Sequence, residues 1–178
     1  MTNSSKDKGD RGEREAVEAF QTLCPDLLVW NAQRLLGAGR KEDVGDLLVI
    51  DDVAVQVKAF AAKYLSKGVY EAANGAAIQA GHARKPHAVG MVLVPRARKD
   101  KVRWVMVAHT WPAPIDEIAT ASSATAAFDA VVKAGIDTPF TVRLARKDKP
   151  ELVLGSLPTW VAAYRSATGR HQRAQKTA

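Results

Sequence analysis

The run Gly45-Asp46-Leu47-Leu48-Val49-Ile50-Asp51-Asp52-Val53-Ala54-Val55-Gln56-Val57-Lys58 constrains the fold of this chain more than any other stretch. Two short apolar segments flank an acidic pair, the pattern of two antiparallel strands joined by a turn. Strand side chains alternate between faces, so Gln56 and Lys58 share one face while Val53, Val55 and Val57 take the other. Closure at Asp51-Asp52 makes Asp46 and Gln56 cross-strand neighbours. A carboxylate, an amide oxygen and a cationic amine then converge on one small patch, a combination able to hold a divalent metal beside a phosphate.

The rest of the chain must supply a fold around that hairpin. Its 178 residues, 47% hydrophobic and 25% charged, have the composition of one soluble domain with a real core. The longest apolar runs are too short to cross a bilayer, and the polar segment Met1 to Gly12 carries no secretion signal. With a single cysteine, Cys24, and no zinc-ligand spacing, a cytoplasmic setting without a membrane is expected. The formal charge of +7 makes nucleic acid the first partner to consider, because cations release counterions from polyanions.

Periodicity predicts a helix from Asp10 to Leu23, stopped by Pro25, then an extended segment Leu27 to Leu35 and a Gly-rich charged loop over 37–43. After the hairpin, Val69 to Arg84 reads as an Ala-rich helix with Val69, Ala72, Ala73, Ala76, Ala80 and Ala83 on one stripe. Small side chains there let a helix lie close to a sheet. Strands are expected at Ala88 to Pro95 and Val102 to His109, a helix at Ser122 to Ala134, a strand at Phe140 to Ala145 and a closing helix at Leu157 to Ser166. The order α-β-β-β-α-β-β describes a mixed α+β (α/β) sheet with helices packed on it. One domain over 9–166 follows, with a core at 9–110, an extension at 111–166, and disordered ends at 1–8 and 167–178.

The first helix adds a further acid. At 100° per residue, Ala16, Val17, Phe20, Leu23 and Cys24 form its apolar stripe, and Glu13 falls within that stripe. Glu15 and Glu18 fall on the opposite, solvated side. A carboxylate on a core-facing stripe needs a cation or a metal. The alternative is a place in the first turn, where the helix dipole favours an acid.

Lys8-Gly9-Asp10-Arg11-Gly12-Glu13, then Gly45-Asp46-Leu47, then Gln56-Val57-Lys58 together resemble the archaeal-type Holliday junction resolvases of the PD-(D/E)XK nuclease superfamily. The resemblance spans about residues 8–110 and leaves the C-terminal third uncovered. It implies a restriction-endonuclease-like core and a metal-dependent endonuclease that hydrolyses DNA phosphodiester bonds. Carried over, Glu13, Asp46 and Gln56, with the backbone carbonyl of Val57, would hold one or two Mg²⁺ ions, for which Mn²⁺ can substitute. Lys58 would assist the attacking water. The departure is Gln56, where the resolvases have Glu. Glutamine at this position is similar to that of Mrr-like endonucleases, and it leaves open a duplex-cutting restriction or repair nuclease, or a non-catalytic DNA-binding relative. A homodimer is implied by the family alone.

Arg34, Arg40 and Lys41 precede Asp46 and are candidates for contacts to DNA phosphates, with a solvated loop as the alternative. Arg96, Arg98 and Lys99, with Lys101, form a basic turn that reads first as solvated and second as a DNA contact. Gln79, at the edge of the alanine stripe, reads as a surface amide ahead of a support for the metal centre. The four histidines carry no nucleophile spacing, and Trp104, Trp111 and Trp160 read as core anchors. Gly37-Ala38-Gly39 lacks the context of a nucleotide fingerprint, so no nucleotide cofactor is expected.

Overall fold

A computed structural model describes residues 4–35, 45–95, 101–115 and 118–170. Its elements, in chain order, are α1 (Ser4–Leu23), β1 (Gln33–Arg34), β2 (Leu47–Leu48), β3 (Val53–Lys58), α2 (Leu65–Ala83), β4 (His87–Leu93) and β5 (Trp104–Ala108). The extension adds β6 (Ala119–Ala121), α3 (Ala124–Ala134), β7 (Thr141–Leu144), β8 (Leu152–Ser156) and α4 (Leu157–Thr168). Short 3-10 turns cover Pro25–Leu27 and Ala62–Tyr64. The eight strands form one mixed sheet in the order β1-β2-β3-β4-β5-β8-β7-β6. Strand β4 runs parallel to β3, as the α2 crossover requires, while β1-β2, β2-β3, β4-β5, β5-β8 and β7-β8 are antiparallel.

Alternation along the central strands sends their side chains into two separate cores. Val53, Val55, Val57, Met91, Trp104 and Met106 pack with Ala16, Val17 and Phe20 of α1 and with Trp160 and Tyr164 of α4. Val92, Val105, Val107 and Leu154 pack on the other side with Val69, Ala72 and Ala73 of α2 and with Ala127, Phe128 and Val131 of α3. The molecule is thus a three-layer sandwich, with α1 and α4 on one face and α2 and α3 on the other. Trp104, Trp111 and Trp160 are buried as core anchors, and Trp160 stacks on Tyr164 at 5.3 Å between centroids.

The hairpin closes where the acidic pair lies. Val53 N–H donates to Ile50 O at 3.2 Å, and Leu47 is registered opposite Val55. The turn is also a tie to the end of the domain, because Tyr164 Oη donates to Asp52 Oδ1 at 2.6 Å. Lys85 Nζ donates to Val53 O at 3.0 Å. These contacts fix the register that sets every side chain of β3 on its face.

Several expectations are corrected. Helix α1 starts at Ser4, six residues before Asp10, so residues 4–8 of the expected disordered end are helical, and 1–3 lie outside the described residues. No proline interrupts the run before Pro25, and its Lys, Asp, Arg and Glu residues are compatible with a helix. The segment expected to be extended from Leu27 to Leu35 begins on the last residue of a 3-10 turn and holds only the two-residue strand β1. Strands β6 and β8 were not evident from the sequence, and β8 joins the extension to the core sheet through β5. Of the expected tail over 167–178, Ala167 and Thr168 belong to α4, Gly169 closes it in the left-handed region at φ 65°, and residues from 171 lie outside the described residues.

Candidate active site

The end of the sheet at which β3 finishes carries the predicted cluster. Gly45, at φ 120°, occupies a conformation that side chains rarely adopt and turns the chain into Asp46. Asp46 is held by its backbone on both sides: its N–H donates to Val55 O at 3.0 Å and its carbonyl accepts from Leu35 N–H at 2.6 Å. Its carboxylate is equally constrained. Oδ2 accepts from the backbone N–H of Val57 at 2.7 Å and from the Gln56 amide. Asp46 and Gln56 are therefore the cross-strand neighbours that the hairpin register implies.

Gln56 is buried at 7% exposure and faces α2. There Gln79 Nε2 donates to Gln56 Oε1 at 2.6 Å, and a Cβ on Gly75 would lie 2.8 Å from the same oxygen. The reading of Gln79 as a surface amide is corrected: it is 1% exposed. Helical periodicity placed it at the edge of the alanine stripe, and Gln56, to which it donates, is 23 positions away. A chain of hydrogen bonds thus runs from Gln79 through Gln56 to Asp46.

Glu13 comes from α1. Its side chain is 21% exposed, and Arg34 Nε lies 3.1 Å from its Oε2. Arg34 Nη2 donates to Asp10 Oδ1 at 2.8 Å, so Arg34, expected as a phosphate contact, is turned inward to two acids. Asp10 was missed, although it precedes Glu13 by three residues and so shares its helix face. Glu15 is a further correction. It is not merely solvated, because Arg103 Nη2 reaches its Oε2 at 2.6 Å and Arg11 Nε its Oε1 at 3.0 Å. Arg40, Lys41, Arg96, Arg98 and Lys99 lie outside the described residues.

The electrostatics bring Glu13, Asp46 and Lys58 into one neighbourhood. Burial pushes the Glu13 carboxyl above its ordinary value of 4.5, the charge of Asp46 pushes it further, Arg34 opposes, Asp10 raises it and Lys58 lowers it. A carboxyl whose folded pKa is raised gives its full contribution to stability below about pH 4.5 and loses it as pH rises through the folded value. Ionised Glu13 is therefore a net burden on the folded protein at neutral pH. Glu13→Gln, which mimics the protonated acid, is expected to melt at or above the wild-type temperature in EDTA at pH 7.5. The gap should close as pH falls toward 4.5. A variant that melts below wild type at pH 7.5 would show that Arg34 outweighs burial and repulsion.

The donor set fits a hard cation such as magnesium in kind. Asp46 offers a carboxylate, and Glu13 a second one whose like-charge repulsion a cation would relieve. The carbonyl of Val57 leaves the strand on the same edge as its N–H, which already meets Asp46. Gln56 presents its N–H to Asp46 and its oxygen to Gln79. A half-turn of that amide, matched by one of Gln79 so that the Gln79 oxygen becomes the acceptor, would set the Gln56 oxygen beside Asp46 and its N–H toward Gln79. Among the described residues no group of three or more His, Cys, Asp or Glu side chains is placed to hold a metal, so glutamine and main-chain oxygens would have to complete the set.

Compared with known proteins, the chain matches no family model, no curated protein and no solved structure.

Proposed function

We propose that this chain is a metal-dependent endodeoxyribonuclease with a restriction-endonuclease-like core. The observation that carries the reading is the pairing of Asp46 with Gln56 near the end of β3, which finishes at Lys58, with the charges of Asp46 and Lys58 both acting on Glu13. The element order from α1 to β5 supports it, since it follows the arrangement of the resolvases that the sequence resembles. Bound Mg²⁺ supplies Lewis acidity, polarising a phosphate and acidifying water. With both glutamine amides so turned, Asp46, Glu13, Gln56 Oε1 and the Val57 carbonyl would hold the ion. Val57 N–H keeps the Asp46 carboxylate in place, and Gln79 keeps the Gln56 amide in place. Lys58 offers a positive charge to the phosphate as negative charge builds on it, and orients the attacking water.

A branched, four-way junction is the proposed substrate and a homodimer the proposed assembly, because two symmetric cuts need two sites. A second reading, a DNA-binding protein without cleavage, is favoured by one observation. The Gln56 amide has both ends hydrogen-bonded within the protein, to Asp46 and to Gln79, so its polar groups are satisfied by side chains alone. Incubating the protein with a four-way junction, a linear duplex and single-stranded DNA, in Mg²⁺ and in Mn²⁺, separates the readings. Paired nicks confined to the junction support the resolvase. Cutting of the duplex moves the assignment to a restriction-like or repair nuclease, and binding without cuts in either metal overturns the enzyme reading.

A further inference from the structure

Resting on the reading of this chain as a DNA-cleaving protein, we propose that the groove between the first half of α2 and the β7-β8 hairpin is a second contact site for the DNA phosphate backbone. The extension thereby takes part in substrate binding. The groove has a volume of about 510 Å³ and is lined by Lys63, Lys67, Arg146 and Lys149 together with Tyr64 and Tyr70. Four cations face one carboxylate, Glu71, among the described residues that line it. They come from two distant parts of the chain that the fold brings together, so the basic charge is not a local run on one helix face.

The pairing of these cations is weak enough to be exchanged for phosphate. Lys67 meets Glu71 at 3.4 Å with the lysine 74% exposed, and Arg146 meets Asp148 at 3.7 Å with the aspartate 68% exposed. Exposed pairs of this kind hold their partners loosely, whereas each phosphate neutralised releases counterions. Lys63 Nζ lies 4.8 Å from the centre of the Tyr64 ring, and that tyrosine is 52% exposed. A tyrosine hydroxyl beside lysines is a common donor to phosphate or sugar.

Position links the groove to the site. The 3-10 turn Ala62–Tyr64 follows β3, which ends at Lys58. Lys63 is five residues further on, a reach of at most about 18 Å, or about five base-pair steps of B-DNA.

Binding of a fluorescent duplex and a four-way junction in EDTA, measured by anisotropy across a salt series, tests this. Lys63→Glu and Lys149→Glu, both at exposed positions, are each expected to weaken binding tenfold or more and to reduce the salt slope by about one. Lys133→Glu, an equal charge change on exposed α3 surface outside the groove, should weaken it less than threefold. Lys63→Gln and Lys149→Gln, with circular dichroism of every variant, guard against unfolding. If wild type binds and the groove variants lose no more than Lys133→Glu, the groove is overturned while the DNA reading stands. If wild type binds neither DNA, both fail together.

Discussion

Asp46→Asn is expected to leave the fold intact and to remove magnesium-dependent DNA cleavage, a loss of about 10²-fold or more in single-turnover rate. The isosteric amide keeps an oxygen that can accept from Val57 N–H, the 2.7 Å bond that seats this side chain. Asparagine is therefore a better probe than alanine, which would orphan a buried donor at a cost of about 1–3 kcal/mol. What the substitution takes away is the charge. The site then keeps only Glu13 among the acids assigned to the ion, and Glu13 itself becomes easier to ionise, because Asp46 is the second largest cause of its raised pKa. A melting temperature close to wild type with cleavage lost separates chemistry from folding. Full cleavage by this variant would remove Asp46 from the site.

The second large effect concerns the closeness of α2 to the sheet. A Cβ on Gly90 would lie 2.6 Å from the Ala72 carbonyl carbon and 2.6 Å from its Cβ. These are atoms of a packed helix and not of a flexible side chain, so α2 must move as a body. Gly90→Ala is expected to cost about 1–3 kcal/mol through overpacking, read as a fall in melting temperature of roughly 3–10 °C for a domain of this size. Helix α2 carries Gln79 and Gly75 beside Gln56, so metal affinity should fall with it. A Cβ on Gly81, in the same helix, would meet nothing within 4 Å. Gly81→Ala should instead stabilise, by about 0.5–1 kcal/mol. Opposite signs at the two glycines in thermal melts would verify the close packing, and equal small effects would refute it.

The parts of this arrangement that were legible in the sequence are those fixed by local periodicity. Alternation and the Asp51-Asp52 turn placed Asp46 against Gln56, and the helical stripe of α1 singled out Glu13 from Glu15 and Glu18. The alanine stripe of α2 pointed to a helix lying close to a sheet, and Val69, Ala72, Ala73, Ala76 and Ala80 are all buried. What escaped depends on contacts between distant residues. Leu152–Ser156 is a short run with Gly155 inside it, and its strand character is completed by β5, some fifty positions earlier. A side chain at Gly155 would meet the ring of Trp111 at 2.9 Å, a constraint invisible along the chain. Glu15 looked solvated because its partner Arg103 is 88 positions away. Gln79 looked peripheral because Gln56, to which it donates, lies 23 positions away.

The central claim is that Asp46 and Lys58 serve one metal-dependent phosphodiester hydrolysis. Its most direct test is the nicking of a four-way junction by wild type, Asp46→Asn and Lys58→Met, side by side in Mg²⁺ and in EDTA. Nicking by wild type in Mg²⁺ alone, lost in both variants, is the predicted result. Nicking that persists undiminished in both variants, or wild-type nicking that EDTA leaves unchanged, would contradict it.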